Sequence, residues 1–207
     1  VCSSDLSDGI GKGFCEELAK QGFSIILVAR NKSKLENVAK ELKSLNSSIN
    51  TRVVVADFSN SPQPGFFDSI YQQVQDLDIS ILVNNVGIDI IEHFEEIPEQ
   101  ALSNMLNLNV YPMIMLTRKL IKKMRSRKHR SGIINVSSTA SLRPMPFIGT
   151  YGSTKALNDH FTRSLQIEFS DIDILSLRPS YVSTPLTHFK EVGLDTITPN
   201  QCARGAL

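Results

Sequence analysis

The chain of 207 residues is long enough for one domain with a substantial hydrophobic core, or for two small ones. Its hydrophobic (41%) and charged (21%) fractions are ordinary for a globular protein, which excludes a disordered or collagen-like chain. Lys and Arg total 22 against 21 Asp and Glu, so the net charge of +1 predicts no general attraction to nucleic acid or membrane. Three scattered cysteines are too few for a disulfide framework.

Short apolar runs alternate with longer amphipathic stretches along the whole chain. The predicted strands are Phe23–Ala29, Arg52–Ala56, Ile79–Val83, Gly132–Val136 and Ile172–Leu177. The predicted helices are Gly11–Gln21, Lys32–Leu45, Gly65–Leu77, Pro98–Arg127 and Thr150–Phe169. The strand candidates are too uniformly apolar to have one solvated face, as in a parallel sheet that is covered on both faces. This alternation predicts one α/β domain over residues 1–207, a Rossmann-type doubly wound parallel sheet with helices on both faces.

Both ends of the chain look cut, and we expect the first and last strands of the sheet to be missing. No apolar strand precedes the glycine-rich turn, and Thr198–Leu207 reads as a helix that is just beginning at Pro199. Residues Val1–Leu6 (VCSSDL) resemble the translation of a common sequencing-adapter oligonucleotide. This resemblance favours the interpretation that residues 1–6 are an artefact. If they are genuine instead, Asp5 would face a phosphate site and repel the phosphate. A chain without its first strand is expected to be insoluble or molten, because the neighbouring strands lose their ladder partner.

A glycine-rich turn, Ser7–Gly13, runs directly into a predicted helix. Glycines at such a turn let backbone N–H groups approach a pyrophosphate at the helix N-terminus, although the pattern is also common as a plain turn and cap. Arg30 follows the next strand, where a basic residue suits the 2′-phosphate of NADP(H) and an acidic one would suit a free 2′-hydroxyl. The alternative is a solvated arginine at a strand end. The predicted phosphate-binding residues are Ser7, Asp8, Gly9, Ile10 and Gly11.

Tyr151 and Lys155 stand four residues apart and therefore share one face of a predicted helix. A nearby ammonium group favours ionisation of a phenol, which makes a tyrosine useful in acid–base chemistry. Ser138 ends an apolar strand, and its hydroxyl can hydrogen-bond a substrate carbonyl. The neighbouring Ser137 is expected to be a capping hydroxyl.

The segment NNVG, residues 84–87, ends another predicted strand at the same sheet edge. Gly87 there leaves room for a cofactor. Asn109 lies inside a long predicted helix, where asparagine competes with the backbone for hydrogen bonds and is unfavourable unless something uses it.

Over essentially its whole length the sequence resembles the short-chain dehydrogenase/reductase family. The elements that carry the resemblance occur in order as SDGIG, Asp57 after the third strand, NNVG, Asn109, and Ser138 with Tyr151-x-x-x-Lys155. The resemblance implies that Tyr151 is the proton donor, that Lys155 is a ribose ligand which also lowers the pKa of the tyrosine, that Ser138 anchors the carbonyl and that Asn109 holds a relay water. It further implies cofactor contacts from Asp57, Asn84, Val86, Gly87, Pro179, Val182 and Thr184. Ser4 and Asp5 depart from the family's Thr-Gly at the phosphate loop.

Three smaller features, Val86, Pro144-x-Pro146 and Tyr181, resemble the branch of very-long-chain 3-oxoacyl-CoA reductases and 17β-hydroxysteroid dehydrogenases. That resemblance implies NADP(H), a lipid substrate (an acyl-CoA, or a steroid as the runner-up) and a place on the endoplasmic reticulum membrane, or in the cytoplasm if there is no anchor. A homodimer and a membrane contact through further segments remain open. The alternative from another class is a catalytically silent nucleotide-binding protein, for which Asp5 is the argument.

One run of charge, Arg118–Arg130, carries eight basic residues and no acidic one. It could meet an anionic membrane surface or the phosphates of coenzyme A. Basic residues that end a long helix more often complement its dipole and face water, and we predict that outcome here, with no nucleic-acid partner.

Overall fold

A computed structural model describes residues 2–3, 9–187 and 191–207 of the chain. The strands are β1 (Cys2–Ser3), β2 (Ile25–Ala29), β3 (Thr51–Val55), β4 (Ile81–Asn84), β5 (Gly132–Val136), β6 (Asp173–Leu177), β7 (Tyr181–Val182) and β8 (Thr196–Ile197). The α-helices are α1 (Gly9–Lys20), α2 (Lys32–Leu45), α3 (Phe66–Gln72), α4 (Glu99–Arg125), α5 (Gly149–Glu168) and α6 (Pro199–Ala206). Five strands and five helices therefore lie where the sequence predicts them, and the predicted α/β class is confirmed. The chain divides into two compact units, residues 1–57 with 180–207 and residues 58–179.

The first unit contains three parallel strands in the order β3, β2, β1. All five residues of β2 are buried, as its apolar sequence predicts. On β3 the side chain of Arg52 is exposed and Val55 is 48% exposed. The expectation that every strand is covered on both faces is therefore wrong for β3, because an outer strand is packed less completely than a central one.

Main-chain pairing at the start of the chain corrects the expectation of a missing first strand. Cys2 and Ser3 pair in parallel with Leu27 and Val28. Ladder hydrogen bonds use only main-chain groups, so a strand can form without the apolar run by which sequence patterns recognise it. The adapter-like origin of residues 1–6 stays a prediction, and Asp5 lies outside the described residues.

The end of the chain returns to the first unit through α6, which packs against α1. The predicted start of this helix is confirmed, since Thr198 and Gln201 form a reciprocal capping box and Pro199 is its first residue. The Asn200 amide donates to Glu17 Oε1 at 3.1 Å, and Glu17 also pairs with Lys20. These contacts hold the pKa of the buried Glu17 carboxyl below its usual value, the hydrogen bond from Lys20 contributing most.

The second unit contains the parallel strands β4, β5 and β6, with β5 in the centre. Long apolar side chains from strands and helices fill its core, and Leu82, Ile133, Met105 and Met124 are at most 1% exposed. The methionines at 105 and 124 of α4 therefore pack in the core. Helix α3 ends at Gln72, short of the predicted Leu77, because the next residues form tight turns, such as the bond from the N–H of Val74 to the carbonyl of Tyr71.

Several basic side chains of Arg118–Arg130, at the end of α4 and just after it, form ion pairs with aspartates. Arg127 forms two hydrogen bonds with Asp78, at 2.5 and 3.0 Å, and Arg130 does the same with Asp173 at 3.1 and 2.6 Å. Arg125 contacts Asp171 at 2.8 Å, and Lys119 is paired with Asp68. Within the described residues, no helix has the length and apolar character to cross a bilayer. The pairing supports the expectation that this run is a solvated face.

Candidate active site

A cluster of four side chains in the second unit brings together residues singled out in the sequence: Ser138, Tyr151, Lys155 and Asn109. We call it the Tyr151 cluster. Ser138 follows β5 and caps the short 3₁₀ helix Thr139–Ser141, where its side chain accepts a hydrogen bond from the N–H of Ala140 at 3.1 Å. Tyr151 lies in the first turn of α5, and interaction with the Ser138 side chain acts to lower the pKa of its phenol. The two hydroxyl groups therefore belong to one site, as hydrogen bonding to a single carbonyl oxygen requires.

Burial sets the acidity of Tyr151. It raises the pKa of the phenol above its ordinary value, while the hydrogen bond with Ser138 acts in the opposite direction and the carboxylate of Asp89 adds to the increase. Because burial outweighs the bond that stabilises the phenolate, the net change in the pKa of Tyr151 is upward, and the lowering by Lys155 that the family resemblance implies stays a prediction. Tyr151 is therefore held as a neutral acid.

Lys155 lies one helical turn after Tyr151 and is only 4% exposed. Its ammonium group donates to the carbonyl of Val136 at 2.9 Å and lies 5.7 Å from the centroid of the Tyr151 ring. Burial lowers the pKa of this lysine from 10.5 to about 8, and Asp89 opposes part of that change. A buried lysine with such a pKa can lose and regain a proton near neutral pH.

Ser137 has a role that differs from the prediction, whereas the predicted role of Ser138 as carbonyl anchor stays a prediction. Ser137 is 2% exposed, and its hydroxyl donates to the carbonyl of Lys155 at 2.7 Å. It therefore fixes α5 against the end of β5, and the capping hydroxyl is Ser138 instead. Successive side chains of a strand point to opposite faces of the sheet. The sequence of two adjacent serines does not show which of them points to which face.

Asn109 is tied to the loop after β4 by its whole side-chain amide. Its Oδ1 accepts from the N–H of Ile88 at 2.8 Å, and its Nδ2 donates to the carbonyl of Ile88 at 2.8 Å and to Thr154 Oγ1 at 3.0 Å. These bonds explain the asparagine in the middle of a helix, because its amide pairs with the N–H and the carbonyl of a loop residue as the main chain of a neighbouring strand would. Both N–H groups of its side chain are thus used by protein groups, and its Oδ1 accepts one bond.

Lys155 and Asn109 pack closely against Gly87. A Cβ placed on Gly87 would lie 3.2 Å from Lys155 Nζ and 3.3 Å from Asn109 Oδ1, tighter than normal packing allows. The glycine is therefore needed for the close approach of these two side chains, and its predicted room for a cofactor stays a prediction. Val86 is half-buried beside it.

Asn84 is turned into the interior of the same unit. Its Nδ2 donates to Asn135 Oδ1 at 2.8 Å and to Thr117 Oγ1 at 3.1 Å, while its buried Oδ1 has no partner among the described atoms. The structure does not bring its amide nitrogen into the Tyr151 cluster. Its predicted cofactor contact stays a prediction.

Asp89 is the site residue that sequence reasoning missed. Its charge acts on both Tyr151 and Lys155, and it follows Ile88, whose N–H and carbonyl are both held by Asn109. The available signal was its place two residues after Gly87. An acidic residue there looked like an ordinary loop residue, because its proximity to α5 depends on long-range packing.

A cleft in the first unit gathers polar residues around Arg30. We call it the Arg30 cleft; it has a volume of about 700 Å³ and is lined by Arg30, Asn31, Lys32, Ser33, Glu36 and Asp57. Asn31 caps α2, and its side chain accepts from the N–H of Lys34 and the hydroxyl of Ser33. Two cations and a helix N-terminus thus border one open space, which suits a phosphate group. Asp57 also lines this cleft, and its predicted cofactor contact stays a prediction.

The glycine-rich turn is described from Gly9 onwards, so Ser7 and Asp8 lie outside the described residues. Gly9 begins α1 with a φ of +77°, a conformation that favours glycine, and Ile10 and Gly11 follow in the first turn. A Cβ on Gly9 would lie 3.5 Å from Thr184 Cγ2, so Thr184 borders this helix N-terminus.

Two further predicted contacts lie on either side of the boundary between the units. In the first unit Val182 is buried, and its carbonyl accepts from the hydroxyl of Thr187 at 2.6 Å. In the second, the Pro179 carbonyl accepts from the N–H of Thr139 at 3.0 Å. Both segments are held in place by protein bonds, and their contacts with a nicotinamide stay predictions.

Comparison with known proteins gives a consistent family. The family model described as short chain dehydrogenase matches residues 6–193. The very-long-chain 3-oxoacyl-CoA reductase-A of Danio rerio is 38% identical over 201 residues, which is 94% of this chain and 61% of that protein. The inactive hydroxysteroid dehydrogenase-like protein 1 of Homo sapiens is 36% identical over 188 residues, 89% of this chain and 56% of that protein. The chain thus spans about three fifths of the length of these relatives.

A solved structure supports the same fold. The 3-ketoacyl-(acyl-carrier-protein) reductase of Brucella melitensis, in complex with NADH, superposes with a TM-score of 0.84 and 26% identity. The match covers 98% of this chain and 86% of that one.

Proposed function

Since the chain belongs to the short-chain dehydrogenase family, we propose that its protein is an NADPH-dependent reductase that converts a ketone into a secondary alcohol. The observation that carries the proposal is the buried Lys155 one turn after Tyr151 on the same helix, with its ammonium group 5.7 Å from the centroid of the Tyr151 ring, while Ser138 acts on the same phenol. The proposed substrate is a long-chain 3-oxoacyl-CoA, with a ketosteroid as the alternative. This choice is supported by the name of the relative that is 38% identical.

In the proposed reaction the chain's own residues handle the carbonyl oxygen and its proton. Ser138 and Tyr151 donate hydrogen bonds to that oxygen, which polarises the carbonyl and stabilises negative charge as it develops. Tyr151, whose pKa burial raises, remains protonated at neutral pH and gives its proton to the oxygen. The nicotinamide cofactor supplies the hydride when it is bound. Lys155 stays next to the phenol and stabilises the charge left on it.

The residues present fit a dinucleotide cofactor. Gly9 begins α1 with a positive φ, and the lack of a side chain at Gly87 lets Lys155 approach the loop after β4 closely. Arg30, Lys32 and Ser33 would hold a 2′-phosphate in the Arg30 cleft, and Asp57 would contact the adenine. Glu36 in the same cleft is paired with Lys32 at 3.8 Å, which offsets part of that lysine's charge. Arg30 therefore carries most of the proposed preference for NADPH.

Apolar side chains at the edge of the second unit support a lipid substrate. Ile91 and Phe94 follow β4 and are 66% and 70% exposed, while Leu142 and Phe147 precede α5 and are 60% and 48% exposed. The N–H of Glu92 donates to the carbonyl of Phe147 at 3.1 Å, so the two loops form one surface. Contiguous exposed apolar groups beside a polar reaction site suit an acyl chain or a steroid.

The test is a turnover assay on the protein that carries this chain. Oxidation of NADPH is followed with a long-chain 3-oxoacyl-CoA, with a 17-ketosteroid and without substrate. We expect turnover with the acyl-CoA; turnover with the ketosteroid alone selects the alternative. Endoplasmic reticulum localisation and a homodimer stay predictions, which fractionation and light scattering would check.

A second candidate is a nucleotide-binding protein without turnover. The observation that favours it is the 36% identity with a human protein whose name calls it inactive. Titration with NADPH separates the candidates, because binding without turnover on either ketone supports the silent protein. The assembled Tyr151 cluster favours the reductase.

A further inference from the structure

Helix α4 is disturbed close to the Tyr151 cluster. Pro112 lies inside the helix and has no N–H, so the carbonyl of Leu108 loses its helical donor. At the next residue, the carbonyl of Asn109 accepts a hydrogen bond from Asn158 Nδ2 at 2.9 Å. A side chain of α5 therefore donates to the main chain of α4 one residue after the carbonyl that Pro112 leaves without its helical donor.

Asn158 completes the fixation of Asn109. The Asn109 side chain already has three hydrogen bonds with Ile88 and Thr154, and Asn158 adds a bond to its main chain. Asn109 Oδ1 and Lys155 Nζ lie 3.3 and 3.2 Å from the point where a Cβ of Gly87 would stand, so the two side chains are neighbours. The orientation of Asn109 therefore determines what faces the ammonium group of Lys155.

The side-chain oxygen of Asn158 is a buried acceptor without a hydrogen bond in the described part of the chain. The residue is 2% exposed, and its Oδ1 has no hydrogen-bond partner among the described atoms. A buried acceptor without a partner is unfavourable, and buried waters commonly satisfy such atoms. The atom therefore marks a position for an internal water, one helical turn from Lys155.

We propose that Asn158 is a positioning residue that holds Asn109 beside Lys155 and binds an internal water through its Oδ1. The inference rests on the proposed function. Each reduction transfers one proton from the Tyr151 hydroxyl to the substrate oxygen, and one proton from water must replace it. Asn158 serves this return, because Lys155 is buried and needs ordered polar neighbours to exchange its proton.

Two variants test the proposal. Asn158→Leu keeps the size of the side chain and removes both polar atoms, and Asn158→Asp keeps the shape and loses the donated bond. We expect kcat to fall about 10- to 100-fold in both, as misplacement of a reacting group does. KM for NADPH and for the ketone should stay within about threefold, because neither ligand contacts Asn158 in this proposal. The ratio of kcat in H₂O to kcat in D₂O should rise.

Thr162→Val is the matched control. Thr162 is also buried on α5, and its hydroxyl donates to the carbonyl of Asn158 at 2.6 Å without contacting Asn109. If these buried hydrogen bonds have only a structural role, the Asn158 variants and Thr162→Val should lose the same thermal stability and keep the wild-type kcat and isotope ratio. We expect Thr162→Val to keep the wild-type kcat and isotope ratio.

The outcomes separate the two proposals. A wild-type kcat and isotope ratio in a folded Asn158 variant, or an equal loss of kcat in Thr162→Val, overturns the role of Asn158 alone. If Asn158→Leu does not fold, Asn158→Asp decides by the same criteria. A wild-type protein without turnover on any ketone overturns the proposed function, and this inference with it.

Discussion

The Tyr151 cluster and the Arg30 cleft solve different physical problems. In the cluster, Lys155 and Asn109 are at most 4% exposed. The Lys155 ammonium group is bonded to the Val136 carbonyl, and the Asn109 amide has three bonds with Ile88 and Thr154. Arg30 and Lys32, by contrast, are exposed at the border of an open cleft. Acid–base chemistry needs fixed atoms with altered pKa values, which burial provides. Recognition of a charged phosphate needs cations that stay charged, and exposed side chains provide them without desolvation.

The difference also predicts how each region responds to substitution. Removal of a buried, multiply bonded group should change rate or folding strongly, whereas removal of one exposed cation should change affinity moderately. Four substitutions would break or sharpen this contrast.

Tyr151→Phe should have the largest effect. The ring stays in place and the proton donor is lost, so we expect turnover to fall by about 10²- to 10⁴-fold. NADPH affinity, measured by fluorescence titration, should stay within about threefold because the phenol is not a phosphate ligand. Tyr71→Phe on α3 is the control and should keep wild-type turnover. Turnover near wild type in Tyr151→Phe would exclude the assigned proton donor.

Lys155→Met should abolish turnover and raise stability. Burial lowers the pKa of Lys155 from 10.5 to about 8, so at neutral pH the folded state holds a charge that the unfolded state accommodates more easily. Each pKa unit corresponds to about 1.4 kcal/mol, which gives a penalty of roughly 3 kcal/mol. Loss of the bond to the Val136 carbonyl offsets about 1 kcal/mol of the gain. The free energy of unfolding should therefore rise by about 2 kcal/mol at pH 7.

The pH dependence checks the origin of that gain. Between pH 8 and 10.5 the unfolded state binds more protons at this lysine, so wild-type stability should rise with pH across the interval. In Lys155→Met this contribution is absent, and the two stabilities should converge as pH rises. Urea unfolding at several pH values measures both. Lys122→Met on the exposed face of α4 should change stability by less than about 0.5 kcal/mol, and an equal gain there would contradict the burial argument.

Arg30→Ala tests the exposed region. Loss of one charge-assisted contact with a phosphate is expected to weaken NADPH binding by about 10- to 100-fold while NADH binding changes little. Lys34→Ala is the matched control, since Lys34 carries the same charge in the first turn of α2 but does not line the Arg30 cleft. Equal losses for NADPH and NADH in Arg30→Ala would remove the basis for the proposed preference.

These two regions were not equally predictable from the sequence. The residues of the Arg30 cleft lie close together in the chain, apart from Asp57, and strand–helix alternation places them at one strand end. The Tyr151–Lys155 spacing is likewise local, since four residues make about one helical turn. Such local patterns predicted the fold class, five strands and most of the candidate site.

Long-range packing explains the rest. Asp89 acts on Tyr151, which lies 62 residues away in the chain, and Asn158 bonds to Asn109, which lies 49 residues away. No local sequence pattern encodes those interactions. The pKa of Tyr151 was predicted from its charged neighbour, whereas the folded protein adds a desolvation that only burial reveals. The main-chain pairing of Cys2 and Ser3 has no side-chain signature at all.

Asp89→Asn should have the smallest effect and the most specific one. The carboxylate raises the pKa of Tyr151 and opposes the lowering of the pKa of Lys155, so its removal lowers both pKa values. Ketone reduction requires the protonated phenol and is lost as pH rises, so the alkaline limb of kcat against pH should move to lower pH in Asp89→Asn. Turnover at pH 7 should stay within about threefold, because the phenol is protonated there in both proteins. Asp89→Glu keeps the charge and should keep the wild-type limb. A limb that does not move, or that moves to higher pH, would mean that the carboxylate does not act on the cluster, and burial alone would then set the acidity of Tyr151.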